Sequence, residues 1–359
     1  MISYILRKIL YSLLVVWGVV TIIFLLFNIL PGDPARMMVG QRADEETVEA
    51  IRQEMGLNEP LFLQYLGYLN NLSPISFHGS NEKRSLFYFD QEKYCPCVTL
   101  LATKDNGALI LKRSYLGRSF QTRKKVSDII YEALPNTIIL AVVAIFFSSL
   151  LGIIAGIFAA IWKNSIYDRS VLVLSAMGMS LPSFFAAILI GWLFAYVLSD
   201  FTGLNLTGNL YEMDDYGEGI HLRLKNIILP ALTLAVRPLS VVLQLSRNSL
   251  LEVLSADYIR TAWAKGLSFT RIIYAHALQN ALNPVITAIS GWFASLMAGV
   301  IFVEYIFGWK GLGFIIVNAL NNYDFPLVLG CVIIISVIFV IINIIVDITY
   351  AILDPRVRK

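Results

Sequence analysis

The sequence predicts an all-α membrane protein with six transmembrane helices, and three observations support that fold class. The chain has 359 residues, of which 57% are hydrophobic and only 15% are charged, and its mean hydropathy is +0.69. Soluble domains carry about 25% charged residues. Six segments are apolar over about the 20 residues that a helix needs to cross a bilayer. The basic residues of their short connections lie mainly on one side of the predicted membrane.

The predicted transmembrane helices follow the apolar segments. The first, residues 9–30, is too long for a signal-peptide core and no A-x-A cleavage site follows it, so we expect it to be retained. The second and third segments contain no charged residue, and the fourth contains Arg237. After residues 9–30 the segments are 137–162, 170–199, 226–246, 284–303 and 325–346.

The basic residues predict an orientation. With the N-terminus inside, the short inside segments hold eleven Lys and Arg residues, and the two short outside loops hold three. This bias predicts that both termini face the cytoplasm. We expect a multi-pass protein of a bacterial inner membrane, in contact with lipid. A net charge of +3 is too small to indicate a nucleic-acid partner.

The connection 31–136 is too long for a simple link, so we expect an enlarged extracytoplasmic loop domain after the N-terminal helix, residues 1–30. Residues 43–69 predict one or two amphipathic helices, the first ending at Gly56. The turn Asp105-Asn106-Gly107 between two apolar runs predicts a β-hairpin, so this domain is expected to be partly β. Residues 137–359 form the predicted core transmembrane domain.

Three cysteines, Cys95, Cys97 and Cys331, are too few for a disulfide scaffold. Cys95-Pro96-Cys97 lacks the C-x-x-C spacing of zinc and redox sites, and its oxidation state stays open. The sequence also lacks a G-x-x-x-x-G-K-[ST] phosphate loop, an H-E-x-x-H zinc site and a G-x-S-x-G nucleophile motif. We therefore expect no catalytic, cofactor-binding or metal-binding residues, and a chain that is not an enzyme.

A charged segment, residues 251–283, separates the fourth and fifth apolar segments. The residues before Gly266 favour helix, and Gly266 is a natural C-terminal stop. Ser268 is placed to cap a second helix that ends before Pro284. On that helix we predict one apolar stripe, formed by Ile272, Ala275, Leu278 and Leu282. Because a much shorter loop would connect two helices, we expect a docking surface here; an ordinary solvated loop is the alternative.

Residues 257–287, DYIRTAWAKGLSFTRIIYAHALQNALNPVIT, resemble the EAA loop, the cytoplasmic coupling loop of ABC importer permeases. The likeness is greatest to permeases of oligopeptide, dipeptide and nickel importers. It extends to LPGDPA at 30–35, GRSFQTRKKVSDIIYEALPNTIILA at 117–141, GLGFIIVNALNNYDFPLVLG at 311–330 and ILDPRVR at 352–358. Residues 71–113 look like an insertion that ordinary members lack. Gly308-Trp309-Lys310 replaces a pair that usually ends in proline and glycine.

The resemblance implies the type I ABC importer permease fold and a permease subunit of an ATP-driven importer. The expected cargo is a dipeptide or oligopeptide, with nickel or another small solute as the alternative; a secondary transporter is a further alternative. The implied partners are two ABC ATPase subunits, an extracytoplasmic substrate-binding protein and a second homologous permease subunit, with which a heterodimer is expected. ATP hydrolysis is then carried out by the partner subunits.

The resemblance also places the contact with the ATPase on the charged segment. Arg260, Lys265 and Arg271 are expected to contact polar groups, and Ala262 and Ala264 to keep the turn slim. His276 is either a partner contact or part of a buried structural hydrogen bond. The predicted coupling residues are Asp257, Arg260, Thr261, Ala262, Ala264, Lys265, Gly266, Leu267, Arg271, His276, Asn280 and Pro284.

The predicted pathway or gate residues lie in or beside the membrane segments and are Arg237, Ser183, Ser290, Ser295 and Glu304. A charge in a membrane segment is costly. Arg237 is therefore expected to face the translocation cavity, where it attracts a peptide carboxylate, or to pair at the permease–permease interface. The serines have close helix packing as their alternative, and Gly152-x-x-x-Gly156 is a weak packing signal. Glu304 and Asp347 match acidic positions of the family and are expected at a gate, at an interface or at solvated helix ends.

Overall fold

The computed structural model describes residues 2–29, 35–36, 44–54, 57–79, 87–94, 97–102, 107–213 and 219–353. The chain divides into two compact units. The first unit comprises Met1–Ser12, Ala133–Val317 and Val337–Lys359, and the second comprises Leu13–Glu132 and Asn318–Ser336. Both units are discontinuous in sequence. The continuous domains 1–30, 31–136 and 137–359 stay a prediction.

The described part of the chain is mainly helical. In chain order the helices are α1 (Ile2–Ile29), α2 (Glu45–Glu54), α3 (Leu61–Leu72), α4 (Gln91–Tyr94), α5 (Val126–Ile161), α6 (Ile166–Ser180), α7 (Ser183–Gly191), α8 (Ser199–Thr202), α9 (Lys225–Leu254), α10 (Asp257–Ala264), α11 (Phe269–Arg271), α12 (Leu278–Ala281), α13 (Asn283–Ile306), α14 (Leu312–Asn321) and α15 (Phe325–Leu353). Two π-helical segments are Trp192–Val197 and Ile272–Ala277. The strands are β1 (Ile75–His78), β2 (Cys97–Ala102), β3 (Ala108–Lys112), β4 (Tyr211–Met213) and β5 (Ile220–Leu222).

Four helices of the described chain, α1, α5, α9 and α15, contain stretches long and apolar enough to cross a membrane. A fifth candidate is the pair α6 and α7, which is bent by 115°. Helix α13 covers the predicted segment 284–303. All six predicted segments are therefore helical in the described residues, although the count of six membrane spans stays a prediction.

The bend between α6 and α7 has a local cause. Pro182 has no backbone N–H and disfavours the helical conformation of the residue before it. Leu181 is accordingly extended, with φ −75° and ψ 127°. The third predicted segment is thus a broken pair of helices rather than one straight helix, at the Ser180–Ser183 interruption that the sequence contains.

Helix α9 is the central helix of the first unit. In its most apolar window 67% of the residues are buried, against 17–28% in α1, α5 and α15. A Cβ on Gly156 of α5 would lie 2.6 Å from the Leu243 carbonyl oxygen and 2.7 Å from the Ser246 Cβ. A Cβ on Gly152 would lie 2.8 Å from Val242 Cγ1. The predicted packing role of the glycine pair is confirmed, because only glycine lets α5 and α9 approach this closely.

The second unit contains a three-stranded antiparallel sheet in the order β1-β3-β2. Leu111 pairs with Ile75 on one side and with Val98 on the other. The predicted hairpin is confirmed as β2 and β3, although Cys95 and residues 103–106 of its turn lie outside the described residues. One face of the sheet is buried and carries Ser76, His78, Ile110 and Lys112. The two predicted amphipathic helices are α2 and α3; Gly56 lies outside the described residues.

Candidate functional site

The charged segment after α9 folds as two short helical arms joined by a glycine turn. Helix α9 extends to Leu254, where the N–H groups of Ser255 and Ala256 bond back to Glu252 and Val253. The first arm is therefore α10 alone, and the residues before Gly266 are helical as predicted, apart from the break at Ser255 and Ala256. The second arm runs through α11, the π-helical segment and α12. It ends at Ala281, and Pro284 lies at the start of α13.

The turn at Gly266 is a Schellman motif. The Leu267 N–H donates to the Ala262 carbonyl at 3.3 Å, and the Gly266 N–H donates to the Trp263 carbonyl at 2.9 Å. Gly266 has φ +75°, a left-handed conformation that disfavours any residue with a Cβ. Its predicted role as a helix stop is confirmed. Ser268 occupies the N-cap position of α11 as predicted, but its side chain makes no capping hydrogen bond.

An apolar base holds the two arms together. Ile259 and Ala262 of the first arm pack with Ile272, Ala277 and Ala281 of the second. Leu250 of α9 and Ala160 of α5 belong to the same buried cluster. The predicted stripe is wrong at Ala275, which is exposed, since the π-helical segment widens the turn and moves the buried face to Ile273, Ala277 and Ala281.

The opposite side of the segment is exposed and mixes aromatic and charged groups; we call it the tip. The Trp263 and Phe269 rings stack with centroids 6.1 Å apart across the glycine turn. Asn280 donates to the Tyr258 hydroxyl at 3.0 Å and so links the two arms. The exposed residues of the tip are Asp257, Tyr258, Arg260, Thr261, Trp263, Ala264, Lys265, Gly266, Phe269, Arg271, Tyr274 and His276.

The predicted coupling residues do not all belong to the tip. Ala262 is buried in the base, and Leu267 is half-buried beside it. His276 is exposed, so its alternative as a buried structural histidine is wrong. Arg260 and Asp257 form an ion pair of 3.4 Å whose side chains are 75% and 96% exposed, a pair of little energetic value.

A buried ion pair supports the end of α9 that leads into this segment. Arg247 Nε and Nη2 donate to Asp168 Oδ1 and Oδ2 at 2.5 and 2.8 Å. Asp168 also accepts from the Asn164 backbone N–H at 2.9 Å. No sequence motif predicts this bidentate pair, because its members are 79 residues apart.

Glu304 lies at the other end of α13 and is fully buried. Its Oε2 accepts from the backbone N–H of Gly313 at 2.7 Å, at the N-terminus of α14. That position favours an anion, since the first N–H groups of a helix have no partner within it. A Cβ on Gly311 would overlap the Glu304 carboxylate. Solvation at a helix end is therefore wrong for Glu304.

Trp309 lies in the turn between α13 and α14 and holds that turn against α5. Its ring is fully buried, and Nε1 donates to the Asn136 carbonyl at 3.0 Å. Gly308 before it has φ +63°. The Gly308-Trp309-Lys310 segment thus has a structural role of its own.

No hydrogen bond or ion pair joins the remaining pathway candidates to one another within the described residues. Arg237 is exposed, and no hydrogen bond or ion pair to it is formed within the described ranges. Ser290 and Ser295 bond to carbonyls of their own helix at 3.0 and 3.4 Å, and Ser183 is the first residue of α7. Asp347 pairs with Lys8 at 2.7 Å, an ion pair between α15 and α1 in the first unit.

Long apolar helices and a helix–turn–helix segment with an exposed aromatic and charged tip define a multi-pass membrane protein with a surface suited to a protein partner. Residues 152–359 match the family of the binding-protein-dependent transport system inner membrane component, and residues 1–82 match the N-terminal family of such membrane components. The chain belongs to this family and is a permease subunit of an ABC importer.

Curated relatives match along the whole chain. A dipeptide transport system permease protein of Alkalihalophilus pseudofirmus is 31% identical, with all of both chains covered. A putative peptide transport system permease protein of Brucella abortus is 36% identical over 100% of this chain and 99% of its own. A glutathione transport system permease protein of Escherichia coli is 31% identical with the same coverage.

Proposed function

We propose that this chain carries peptides across a bacterial inner membrane as one of two permease subunits, driven by ATP hydrolysis in separate subunits. The names of the relatives support a peptide cargo, since dipeptide, peptide and glutathione permeases all match over the full chain. They favour peptides over nickel, and family membership favours an ABC importer over a secondary transporter.

The observation that carries the coupling proposal is the two-sided segment after α9. Its base is closed by apolar packing, while its tip exposes the Trp263 and Phe269 rings. An exposed aromatic pair ringed by charges is the usual composition of a protein interface. The tip docks on the ATPase subunit, and Arg260, Lys265 and Arg271 contact its polar groups. The base transmits the movement to α9 and α5.

Arg237 is the proposed pathway residue. A side chain in a membrane helix that is exposed and without a partner in the described residues must meet water, a ligand or another chain, because lipid would leave the charge unsolvated. It attracts the carboxylate of a passing peptide or pairs with an acidic group of the second permease subunit. Transport assays of Arg237→Lys and Arg237→Gln test both roles, and normal assembly and transport by the glutamine variant would contradict both.

The proposed orientation places both termini and the tip in the cytoplasm and residues 31–136 outside. The excess of basic residues in the short inside segments supports it. A substrate-binding protein delivers the peptide on the outside. In a variant whose three cysteines are replaced by serine, labelling of single cysteines introduced at Ala264 and Thr122 by a membrane-impermeant reagent tests this, with reaction in intact cells expected at residue 122 alone.

The main experiment compares two alanines of the coupling segment by co-purification with the ATPase subunit. Ala264 is exposed at the tip and Ala262 is buried in the base. Ala264→Asp is expected to keep the Tm of the permease and to abolish ATPase retention and transport. Ala262→Asp is expected to lower the Tm as well, since it buries a carboxylate. Full ATPase retention by Ala264→Asp would contradict docking through the tip.

A further inference from the structure

The second unit contains an apolar cavity that peptide transport leaves unexplained. Its volume is about 220 Å³, more than ten times the roughly 15 Å³ that admits one water molecule. Apolar side chains dominate its lining, among them Phe24, Leu72, Leu116, Leu329 and Ile333. A cavity of this kind is suited to an apolar ligand with few polar groups.

Two walls of the cavity belong to α1 and α15, the helices that contain the candidate membrane spans Arg7–Leu26 and Phe325–Ile348. Phe24 lies in the first of these apolar stretches and Ile333 in the second. The cavity is therefore bordered by surfaces suited to the hydrocarbon of a bilayer.

Helix α3 forms the third wall and lies beside α1. The Tyr65 hydroxyl hydrogen-bonds the Thr21 hydroxyl at 2.6 Å, and Thr21 is within the α1 span. On α3, Leu61 and Phe62 are 53% and 69% exposed. A helix held against the membrane-embedded part of α1, with bulky apolar side chains uncovered, is typical of an element seated in the lipid interface.

One polar group of the cavity lacks a partner. The Tyr68 hydroxyl is buried and forms no hydrogen bond with the residues that the structure describes. Its ring packs on Phe24 with centroids 5.5 Å apart. A buried hydroxyl is normally hydrogen-bonded, so a ligand with an acceptor atom in this position would satisfy it.

We propose that this cavity binds one acyl chain of a membrane phospholipid, whose ester carbonyl accepts a hydrogen bond from Tyr68. The acyl chain matches the apolar walls, the ester carbonyl matches the hydroxyl, and a phospholipid of the bilayer carries both groups. The bound chain fills the contact between α3 and the ends of α1 and α15, and so anchors the second unit to the bilayer.

Native mass spectrometry of the full-length permease with its co-purifying subunits tests the proposal. Delipidated protein is titrated with palmitoyl-oleoyl phosphatidylglycerol, and retained lipids are counted. Leu329→Trp, which fills the cavity, is expected to lose one tightly retained lipid. Tyr68→Phe keeps the ring and is expected to weaken that retention several-fold. Tyr65→Phe is the matched control, since its hydroxyl bonds Thr21 outside the cavity lining, and it is expected to retain lipid like the wild type.

Two results would overturn the proposal. Wild-type retention in both Leu329→Trp and Tyr68→Phe would show that the bound lipids lie elsewhere. A higher Tm of Tyr68→Phe with unchanged retention would show that the hydroxyl is an unsatisfied group in an empty cavity. Phosphatidylethanolamine with the same chains is expected to be retained equally, and retention of phosphatidylglycerol alone would contradict recognition through the acyl chain.

Discussion

Helix α13 lies between two turns of the first unit, and charged side chains are exposed at the first turn and buried at the second. Before its N-terminal end, Arg260, Lys265 and Arg271 are exposed on the tip, over an apolar base. In its last turn, Glu304 is fully buried, and its Oε2 accepts from the first N–H groups of α14 while its Oε1 has no hydrogen-bond partner among the described residues. Both regions are helix–turn–helix arrangements with a glycine of positive φ, Gly266 in one and Gly308 in the other.

The difference in burial distinguishes side chains that affect the stability of the fold from side chains that are free to bind a partner. A buried charge must be satisfied by the chain itself, because burying it unpaired is costly. Exposed charges contribute little to stability and are free to meet another molecule. Substitutions where Glu304 of α13 meets the start of α14 are therefore expected to affect folding. Substitutions at the tip are expected to affect partner binding.

The largest effect is expected from Gly313→Ala. The new Cβ would overlap the Ile301 backbone and lie 3.1 Å from Glu304 Oε2, so α14 has to move away from α13. We expect little folded protein in a detergent size-exclusion and thermal-unfolding assay. Gly291→Ala in α13 is the matched control, because no atom lies within 4 Å of its Cβ. Equal stability of the two variants would contradict the close packing of α14 against α13 at Gly313.

The next effect contrasts two ion pairs. Asp168→Ala leaves the Arg247 side chain, which is 14% exposed, with its hydrogen bond to Asn248 Oδ1, and is expected to cost about 2–3 kcal/mol of unfolding free energy, less than a fully buried pair. Asp257→Ala removes the exposed partner of Arg260 and is expected to leave the Tm unchanged. Thermal unfolding in detergent measures both. A larger loss of Tm in Asp257→Ala than in Asp168→Ala would show that the exposed ion pair, and not the Asp168–Arg247 pair, stabilises the fold.

Lys112 in the second unit extends the comparison to a buried cation. Within the described residues its Nζ meets the Asn71 carbonyl at 3.1 Å and lies 4.0 Å from the centre of the Tyr94 ring, but it forms no salt bridge. Burial, with some repulsion from Lys93, lowers the pKa of Lys112 to about 8. Below that pH the folded and unfolded states both carry the charge, so the burial cost is present in full.

The resulting pH dependence has a defined sign. As the pH rises from about 8 toward the ordinary lysine pKa of about 10.4, the folded state loses the proton first and its stability increases. Lys112→Met is expected to raise stability at pH 7 by about 2 kcal/mol, using 1.36 kcal/mol per pKa unit with a discount for partial solvation. The difference from the wild type is expected to vanish above pH 10. A difference that is constant with pH would contradict the titration of Lys112.

Among the substitutions expected to change stability, the smallest effect is expected at Gly266. Gly266→Ala meets open space but has to adopt φ +75°, at a cost of about 1 kcal/mol. Gly266→Asn is the control, since asparagine tolerates this conformation better. If the tip is the docking surface, the alanine variant retains less ATPase subunit than the asparagine variant despite a similar Tm. Equal retention would show that the turn geometry does not matter for docking.

The helices, the hairpin and the coupling segment were predictable because each leaves a local signal. Apolar runs marked the membrane helices, Asp105-Asn106-Gly107 marked the hairpin, and Gly266 marked the turn of the coupling segment. The buried face of the second arm was not predictable, since no local sequence signal marks the π-helical segment that exposes Ala275. The same holds for the Asp168–Arg247 pair, which joins distant parts of the chain.

The sequence by itself determined the membrane class, the position of most helices and the family, because hydropathy, turn residues and motifs are local properties of the chain. The tertiary structure alone decided which charges are buried and which are exposed. Glu304 and Arg237 are both single charges in or beside apolar segments, yet one is enclosed by Gly311 and Gly313 and the other is uncovered. Burial depends on neighbours brought together by packing, and no local pattern contains that information.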